Sequence, residues 1–295
     1  MKNTIFKGAG VALVTPMKDD FSINFDKLEE LVEFQIAGHT DAIIVCGTTG
    51  EASTLSRAEH LEAVKHVIEV TNKRVPVIAG SGSNDTAFAI ETSRRAKELG
   101  ADGLLCVTPY YNKTSQAGLI AHYTKLANEV KAPIILYNVP SRTGTAFQCQ
   151  TYKALADNPY IVGIKEANAN LGMMAETISL CGDKLDIYSG NDDEVVPCLS
   201  LGGSGVISVL SNVAPKAVHD LCYSYFNGDV NTAKDIQLKY IALIRALFSD
   251  VNPIPAKEAL NIMGFDVGEC RLPLVRMSES ARENLKEQLK AVNLI

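Results

Sequence analysis

The feature that most constrains the fold is a regular alternation of short apolar runs and amphipathic helical patterns, repeated eight times up to about residue 226. Short apolar runs bounded by turn residues are typical of strands buried on both faces of a parallel sheet. Parallel strands joined through helices require right-handed crossovers, and eight such units predict a closed (β/α)8 barrel, the TIM-barrel architecture. The predicted strands cover residues 10–15, 42–46, 75–79, 103–107, 133–137, 160–166, 185–188 and 206–209.

Three further helical patterns follow the eighth unit, near residues 231–248, 255–263 and 278–292. A barrel of this kind is complete without them. We therefore expect a catalytic barrel over residues 1–227 and a C-terminal helical appendage over residues 228–295, with the seam at Gly228 and Asp229.

Composition excludes several classes of protein. Hydrophobic residues make up 46% and charged residues 21% of the 295, as in a globular chain. The net charge of -6, without a basic block, gives nucleic-acid binding no electrostatic support, and no apolar run reaches the length of a membrane span. The seven scattered cysteines and five histidines lack metal-site and disulfide spacing, so we expect a cytoplasmic protein without a metal.

The sixth predicted strand ends in Lys165, with no polar residue leading up to it. Ligands bind at the carboxyl ends of strands in α/β folds. A desolvated lysine has a lowered pKa and can form a Schiff base with a ketone, although a lysine here could also simply extend to water. The adjacent Glu166 should point to the opposite face and satisfy a group between strand and helix.

Hydroxyl-bearing side chains follow the other predicted strands. Schiff-base chemistry needs groups that move protons and donors that bind a carboxylate. Arg142, in the loop VPSRTG, could clamp a carboxylate, and the turn GTTGE at 47–51 could bind an anion. Each of these features also has a structural explanation that stays open. Arg142 could be a solvated loop residue, GTTGE an ordinary turn between strand and helix, and Tyr137 a buried aromatic side chain. The barrel would gather Thr48, Thr49, Ser81, Tyr110, Tyr111, Tyr137, Asn138, Lys165, Glu166, Gly190 and Ser208 at one rim.

Five ordered motifs carry a resemblance to a known family. GTTGE at 47, TPYYN at 108, YNVPSRTG at 137, GIKE at 163 and GGSGVIS at 202 resemble the dihydrodipicolinate synthase branch of the class I pyruvate aldolase superfamily. The resemblance covers essentially the whole chain. It implies condensation of pyruvate with aspartate 4-semialdehyde in lysine and diaminopimelate biosynthesis, without a cofactor, by a homo-oligomer that we expect to be a dimer of dimers.

The resemblance also implies roles for individual residues. Lys165 would condense with pyruvate, and Tyr137, Thr48 and Tyr111 would relay protons, with Tyr111 reaching into the neighbouring subunit's site. The implied substrate contacts are Thr49 on the pyruvate carboxylate, Arg142 on the semialdehyde carboxylate, and Gly190 and Ile207 in the wall of the site.

Two alternatives to this function remain open. Related lyases that act on N-acetylneuraminate or 2-keto-3-deoxy sugar acids share the lysine and tyrosine but usually lack the arginine of SRTG, so Arg142 favours the semialdehyde branch. A barrel could also bind oxo acids as a sensor without turnover.

Feedback inhibition by lysine is expected to be weak or absent. Lysine-inhibited members of the family place a histidine and a glutamate where this chain has Arg57 and Phe88, while His60 and Asn84 are kept. An apolar Phe88 cannot accept the ammonium of the effector.

Overall fold

The computed structural model describes residues 2–295, and its centre is a closed barrel of eight parallel strands in sequence order. Strand β8 closes the barrel by pairing with β1, with Gly10 opposite Ile207. The predicted (β/α)8 fold is confirmed. The strands are β1 Gly8–Ala12, β2 Ala42–Val45, β3 Val77–Gly80, β4 Gly103–Val107, β5 Ile134–Asn138, β6 Ile161–Glu166, β7 Asp186–Ser189 and β8 Gly205–Ser208.

Helices surround the barrel and continue beyond it. Each barrel helix buries one face against the sheet, and several begin at a side-chain cap, such as the reciprocal Ser56 and Glu59 pair at the start of α2. The helices are α1 Phe25–Ala37, α2 Arg57–Thr71, α3 Thr86–Leu99, α4 Gln116–Val130, α5 Pro140–Thr143, α6 Cys149–Leu155, α7 Leu171–Cys181, α8 Val195–Ser200, α9 Pro215–Phe226, α10 Val230–Leu247, α11 Ile254–Ile262 and α12 Glu279–Ala291.

The first strand is the element that the sequence misplaces most. We expected it at 10–15, but β1 covers Gly8–Ala12. Leu13 and Val14 are fully buried beyond the end of the strand, and the N–H of Leu13 still donates to the carbonyl of Ile44 at 3.0 Å. Hydrophobicity reports burial rather than sheet pairing, so the apolar run continues past the strand.

The amino-terminal end of the barrel is closed by a plug of two aromatic side chains. The rings of Phe6 and Tyr188 stack with centroids 4.4 Å apart, and the Tyr188 hydroxyl donates to the Phe6 carbonyl at 2.6 Å. Above them the interior is filled by small and branched apolar side chains, among them Ile44, Ile135 and Ile207. The cavity formed by the described residues opens at the opposite, carboxyl-terminal rim.

The C-terminal appendage consists of α10, α11 and α12 and reaches the loop that follows β2. Lys257 of α11, almost fully buried, donates to the buried carboxylate of Glu51 at 3.0 Å and to the Glu269 carbonyl at 2.6 Å. The N–H of Arg271 donates to the other oxygen of Glu51 at 2.8 Å. Within residues 2–295, no helix combines the length and the apolar character that crossing a membrane demands.

Candidate active site

A cavity of about 410 Å³ opens at the carboxyl-terminal rim of the barrel. Its wall is built by the segments that follow strands β2 to β5. Among the residues that the sequence proposes for function, Thr48, Tyr137, Arg142, Arg57, His60 and Phe88 line it.

Lys165 and Tyr137 form the centre of the site. They are direct neighbours across strands β5 and β6, and the ammonium of Lys165 lies 4.4 Å from the centroid of the Tyr137 ring. Lys165 is 5% exposed. From the sequence, Lys165 could also have extended to water. Its burial excludes that alternative.

The surroundings of Lys165 favour its neutral form. Burial lowers the pKa of the Lys165 ammonium from 10.5 to about 8, because removing the cation from water costs free energy. The nearby positive charge of Arg142 lowers this pKa further, whereas the carboxylate of Asp192 opposes both effects. A minor fraction of the lysine, larger than for an ordinary lysine, is therefore a free amine near neutral pH.

Tyr137 is kept in its protonated, proton-donating form. Burial raises the pKa of its phenol, and this effect outweighs the opposing contributions of Arg142 and of the contact with the Thr48 hydroxyl. Tyr137 and Thr48 both face the cavity. The pair can therefore pass a proton between bound ligand and solvent, as Schiff-base formation requires.

Asp192 is a buried carboxylate close to Lys165 that no sequence motif indicates. The Ser208 hydroxyl donates to it at 2.5 Å, and the N–H groups of Val209 and Leu210 donate at 3.0 Å each. Burial raises the pKa of its carboxyl group against these hydrogen bonds. The acidic run after β7 was the only sequence signal, and such a run is usually solvated.

Glu166 points away from the cavity, as its position after Lys165 predicts. It accepts hydrogen bonds from Asn138 and from the Tyr152 hydroxyl, both at 2.9 Å. Burial raises the pKa of this carboxyl group to about 7. Because Asn138 follows Tyr137, these bonds tie the ends of β5 and β6 together directly behind the lysine and tyrosine pair.

Three further proposed residues lie close to this centre. Thr49 is 3% exposed, and its hydroxyl accepts a hydrogen bond from Asn252 of the appendage at 2.9 Å. A side chain at Gly190 would come within 3.2 Å of the Lys165 Cε and within 2.7 Å of the Ala167 Cβ, so glycine leaves room for the lysine. Ile207 is fully buried in the barrel interior.

Arg142 lies at the mouth of the cavity on α5, and its guanidinium donates to the Asn252 carbonyl at 3.1 Å. Like Lys165, Thr49, Gly190 and Ile207, Tyr111 is not among the residues that line the cavity, but it differs from them in its exposure. It is 91% exposed and adopts a φ of 66°, a left-handed conformation that is unfavourable for a bulky residue. Its neighbour Asn112 is tied to the Asn84 carbonyl at 3.0 Å.

Three of the four proposed effector positions, Arg57, His60 and Phe88, line the same cavity, whereas Asn84 does not. The Arg57 guanidinium lies 4.6 Å from the centroid of the Phe88 ring and 2.6 Å from the Glu91 carboxylate. The His60 Nε2 donates to the Gly80 carbonyl at 2.8 Å, and burial lowers the pKa of this imidazole. His60 is therefore neutral and already engaged.

A buried lysine of lowered pKa at a strand end of a (β/α)8 barrel, in contact with a protonated tyrosine, defines a Schiff-base lyase of the class I aldolase type. Residues 5–292 match the model of the Dihydrodipicolinate synthetase family, and the chain belongs to that family.

Relatives of known name agree over the whole length. The 4-hydroxy-tetrahydrodipicolinate synthase of Caldicellulosiruptor saccharolyticus is 56% identical over 97% of this chain and 96% of its own. The pyruvate complex of the chloride-inhibited dihydrodipicolinate synthase from Acinetobacter baumannii superimposes with a TM-score of 0.97 at 45% identity, covering 99% of this chain and 100% of that one. A monomeric dihydrodipicolinate synthase variant also superimposes with a TM-score of 0.97, at 42% identity, covering 99% of this chain and 98% of that one.

Proposed function

We infer that this chain condenses pyruvate with L-aspartate 4-semialdehyde to 4-hydroxy-tetrahydrodipicolinate through an imine on Lys165. The observation that carries this inference is the buried Lys165 against the Tyr137 ring, 4.4 Å from its centroid. Family membership supports the choice of substrates.

The chemistry begins at the neutral Lys165 amine. It attacks the ketone carbon of pyruvate, and the carbinolamine loses water once its hydroxyl receives a proton. Loss of a methyl proton from the imine gives an enamine, whose carbon attacks the aldehyde. The amino group of the semialdehyde then displaces Lys165 from the former ketone carbon and closes the ring, so that one water is released overall.

Tyr137 is the proton donor in this proposal, and Thr48 connects it to the rest of the relay. Burial keeps the phenol protonated, which suits a group that must deliver a proton to the leaving hydroxyl. Tyr111 completes the relay from a neighbouring subunit.

Four residues supply substrate recognition in the proposal. Thr49 binds the carboxylate of pyruvate, while Gly190 and Ile207 shape the wall around the imine. Arg142, at the mouth, pairs with the carboxylate of the semialdehyde, for which its guanidinium geometry is suited.

Borohydride reduction in the presence of pyruvate tests the central step. We expect one pyruvate-derived adduct per chain, located at Lys165 by peptide mass spectrometry, and a loss of at least about a thousandfold in turnover for Lys165→Ala because the covalent route is removed. Full turnover by Lys165→Ala would contradict the proposal. Lys153→Ala, on a solvent-facing lysine of α6, is the matched control and should trap normally.

Substrate assays separate the proposal from its alternatives. Cleavage of N-acetylneuraminate or 2-keto-3-deoxygluconate at rates similar to the condensation would favour a sugar-acid aldolase. Pyruvate trapping without condensation of the semialdehyde would favour a sensor.

We propose that the enzyme works as a homo-oligomer, a dimer of dimers, in the cytoplasm. The exposure of Tyr111 supports a contact with a partner, because an aromatic ring that is 91% exposed can bury its apolar surface against a second subunit. All seven cysteines are thiols, and six are buried, which suits a reducing compartment. Light scattering of the purified protein tests the assembly, and a monomeric mass would contradict it.

A further inference from the structure

Asn252, between α10 and α11, contacts two residues of the barrel rim at once. Its side-chain Nδ2 donates to the Thr49 hydroxyl at 2.9 Å, and its backbone carbonyl accepts from the Arg142 guanidinium at 3.1 Å. Asn252 is 6% exposed. A single residue of the appendage thus joins the turn after β2, which carries Thr49, to the helix α5, which carries Arg142.

The direction of the first hydrogen bond has a chemical consequence. A threonine hydroxyl has one proton to donate and can accept through its lone pairs. Because Thr49 accepts from the amide of Asn252, its own proton stays free for an anionic ligand. The second bond is independent of the first, because it uses the backbone of Asn252 rather than its side chain.

The amide of Asn252 is not fully satisfied. Within residues 2–295, its buried Oδ1 atom has no hydrogen-bond partner. Buried polar atoms in proteins are nearly always paired, since an unpaired one is unfavourable. The bond to Thr49 is thus the hydrogen bond that the Asn252 side chain makes among the described residues.

A second contact, besides the bond from Asn252 to Thr49, joins the appendage to the turn 47–51. Lys257 pairs with Glu51 at 3.0 Å, only two residues after Thr49. The N–H of Lys257 also donates to the Pro253 carbonyl at 3.0 Å, which connects this ion pair to the segment that carries Asn252. The turn that presents Thr49 is therefore fixed from outside the barrel.

We propose that Asn252 is a positioning residue for pyruvate, whose amide holds the Thr49 hydroxyl as a donor toward the substrate carboxylate while its carbonyl separately orients Arg142. This proposal rests on the proposed function, in which Thr49 binds pyruvate and Arg142 binds the semialdehyde. It assigns part of substrate recognition to the C-terminal appendage.

Asn252→Ala and Asn252→Asp test it. Alanine removes the bond to Thr49 and leaves the backbone carbonyl, so KM for pyruvate should rise about tenfold while KM for the semialdehyde changes less than about twofold. Aspartate can only accept, so it would draw the Thr49 proton away from pyruvate and raise that KM further. A purely structural residue would instead give a smaller effect for aspartate, or a parallel rise in both KM values with a lower melting temperature.

Two controls complete the experiment. Asn261→Ala removes another asparagine of the appendage, whose side chain donates to the Gly268 carbonyl and accepts from the Val267 N–H, and should lower stability without a selective change in KM for pyruvate. Combining Asn252→Ala with Thr49→Val should give no more loss than Thr49→Val alone, because both remove the same interaction.

Borohydride trapping of the wild-type enzyme distinguishes a failure of the proposed function from a failure of the positioning role. Absence of a pyruvate adduct on Lys165 would overturn the proposed function. An adduct in the wild type together with an unchanged KM for pyruvate in Asn252→Ala would overturn only the positioning role.

Discussion

At the scale of single residues, reactivity depends on how much of Lys165 is neutral. With a pKa of about 8, roughly a tenth of the amine is free at pH 7, whereas an ordinary lysine would have far less than a hundredth. The free amine is the nucleophile. Its fraction therefore increases as the pH rises and levels off above the pKa.

We accordingly predict that kcat/KM for pyruvate increases with pH and reaches a plateau above about pH 8. Asp192→Asn should move this inflection downward by on the order of one pH unit, because it removes the carboxylate that favours the ammonium. An asparagine keeps the hydrogen bonds from Val209 and Leu210, so the fold should persist. The measurement is a pH profile from initial rates, and an upward shift would contradict the assignment of Asp192.

The effector end of the cavity gives a second prediction at this scale. Purified enzyme should keep its full rate in millimolar lysine, because the Arg57 guanidinium already covers the face of Phe88 and would repel the ammonium of the effector. The double change Arg57→His and Phe88→Glu restores the residues of lysine-inhibited members and should introduce inhibition. Full inhibition of the unmodified enzyme by lysine would sink the prediction.

At the scale of secondary-structure elements, the appendage is coupled to the barrel through the turn after β2. The ion pair of Lys257 and Glu51 is almost fully buried, and Glu51 adopts a φ of 54° within that turn. A buried pair is strongly destabilised when one partner is removed, because the other charge is left without compensation.

Glu51→Gln should therefore lower the free energy of unfolding by about 3 kcal/mol, measured by denaturant titration at fixed protein concentration. Adding Lys257→Met should cost less than the sum of the two single changes, since the double variant has no buried charge at this position. Strict additivity would mean that the two groups do not interact. Exposed pairs serve as the comparison, and Lys184→Ala, which breaks the pair with Asp157, should change stability by less than about 1 kcal/mol.

At the scale of the whole molecule, the proposed function requires Tyr111 of a partner subunit to complete each site. Mixing Lys165→Ala with Tyr111→Phe subunits, each nearly inactive alone, should restore up to about a quarter of the wild-type activity if subunits exchange at random within a symmetric dimer. One site of each mixed dimer then has both native residues. No recovery after verified subunit exchange would place Tyr111 outside its partner's site.

Much of this molecule could be predicted from the sequence, because the signals are local. Buried parallel strands produce apolar runs, so the barrel and the strand that ends in Lys165 follow from pattern alone. The opposite orientation of Glu166 follows from strand alternation and is confirmed by its bonds to Asn138 and Tyr152.

The remaining parts depend on contacts between distant segments. Asn252 meets Thr49 across 203 positions of sequence, and Lys257 meets Glu51 across 206, so neither pairing leaves a local pattern. Asp192 stands in an acidic run that normally indicates a solvated surface. The seam at Gly228 and the roles of individual site residues stay predictions.

The aromatic plug at the amino-terminal end decides how molecules travel through the site. Phe6 and Tyr188 stack at the amino-terminal end of the barrel, whereas Tyr137 and Arg142 line a cavity at the carboxyl-terminal rim. The Lys165 ammonium lies against the Tyr137 ring on that side. Because both substrates enter through this rim, the pyruvate that reacts with Lys165 must bind before the semialdehyde that pairs with Arg142, and the product must leave before the next cycle. The shape of the site therefore favours an ordered sequence of substrate binding.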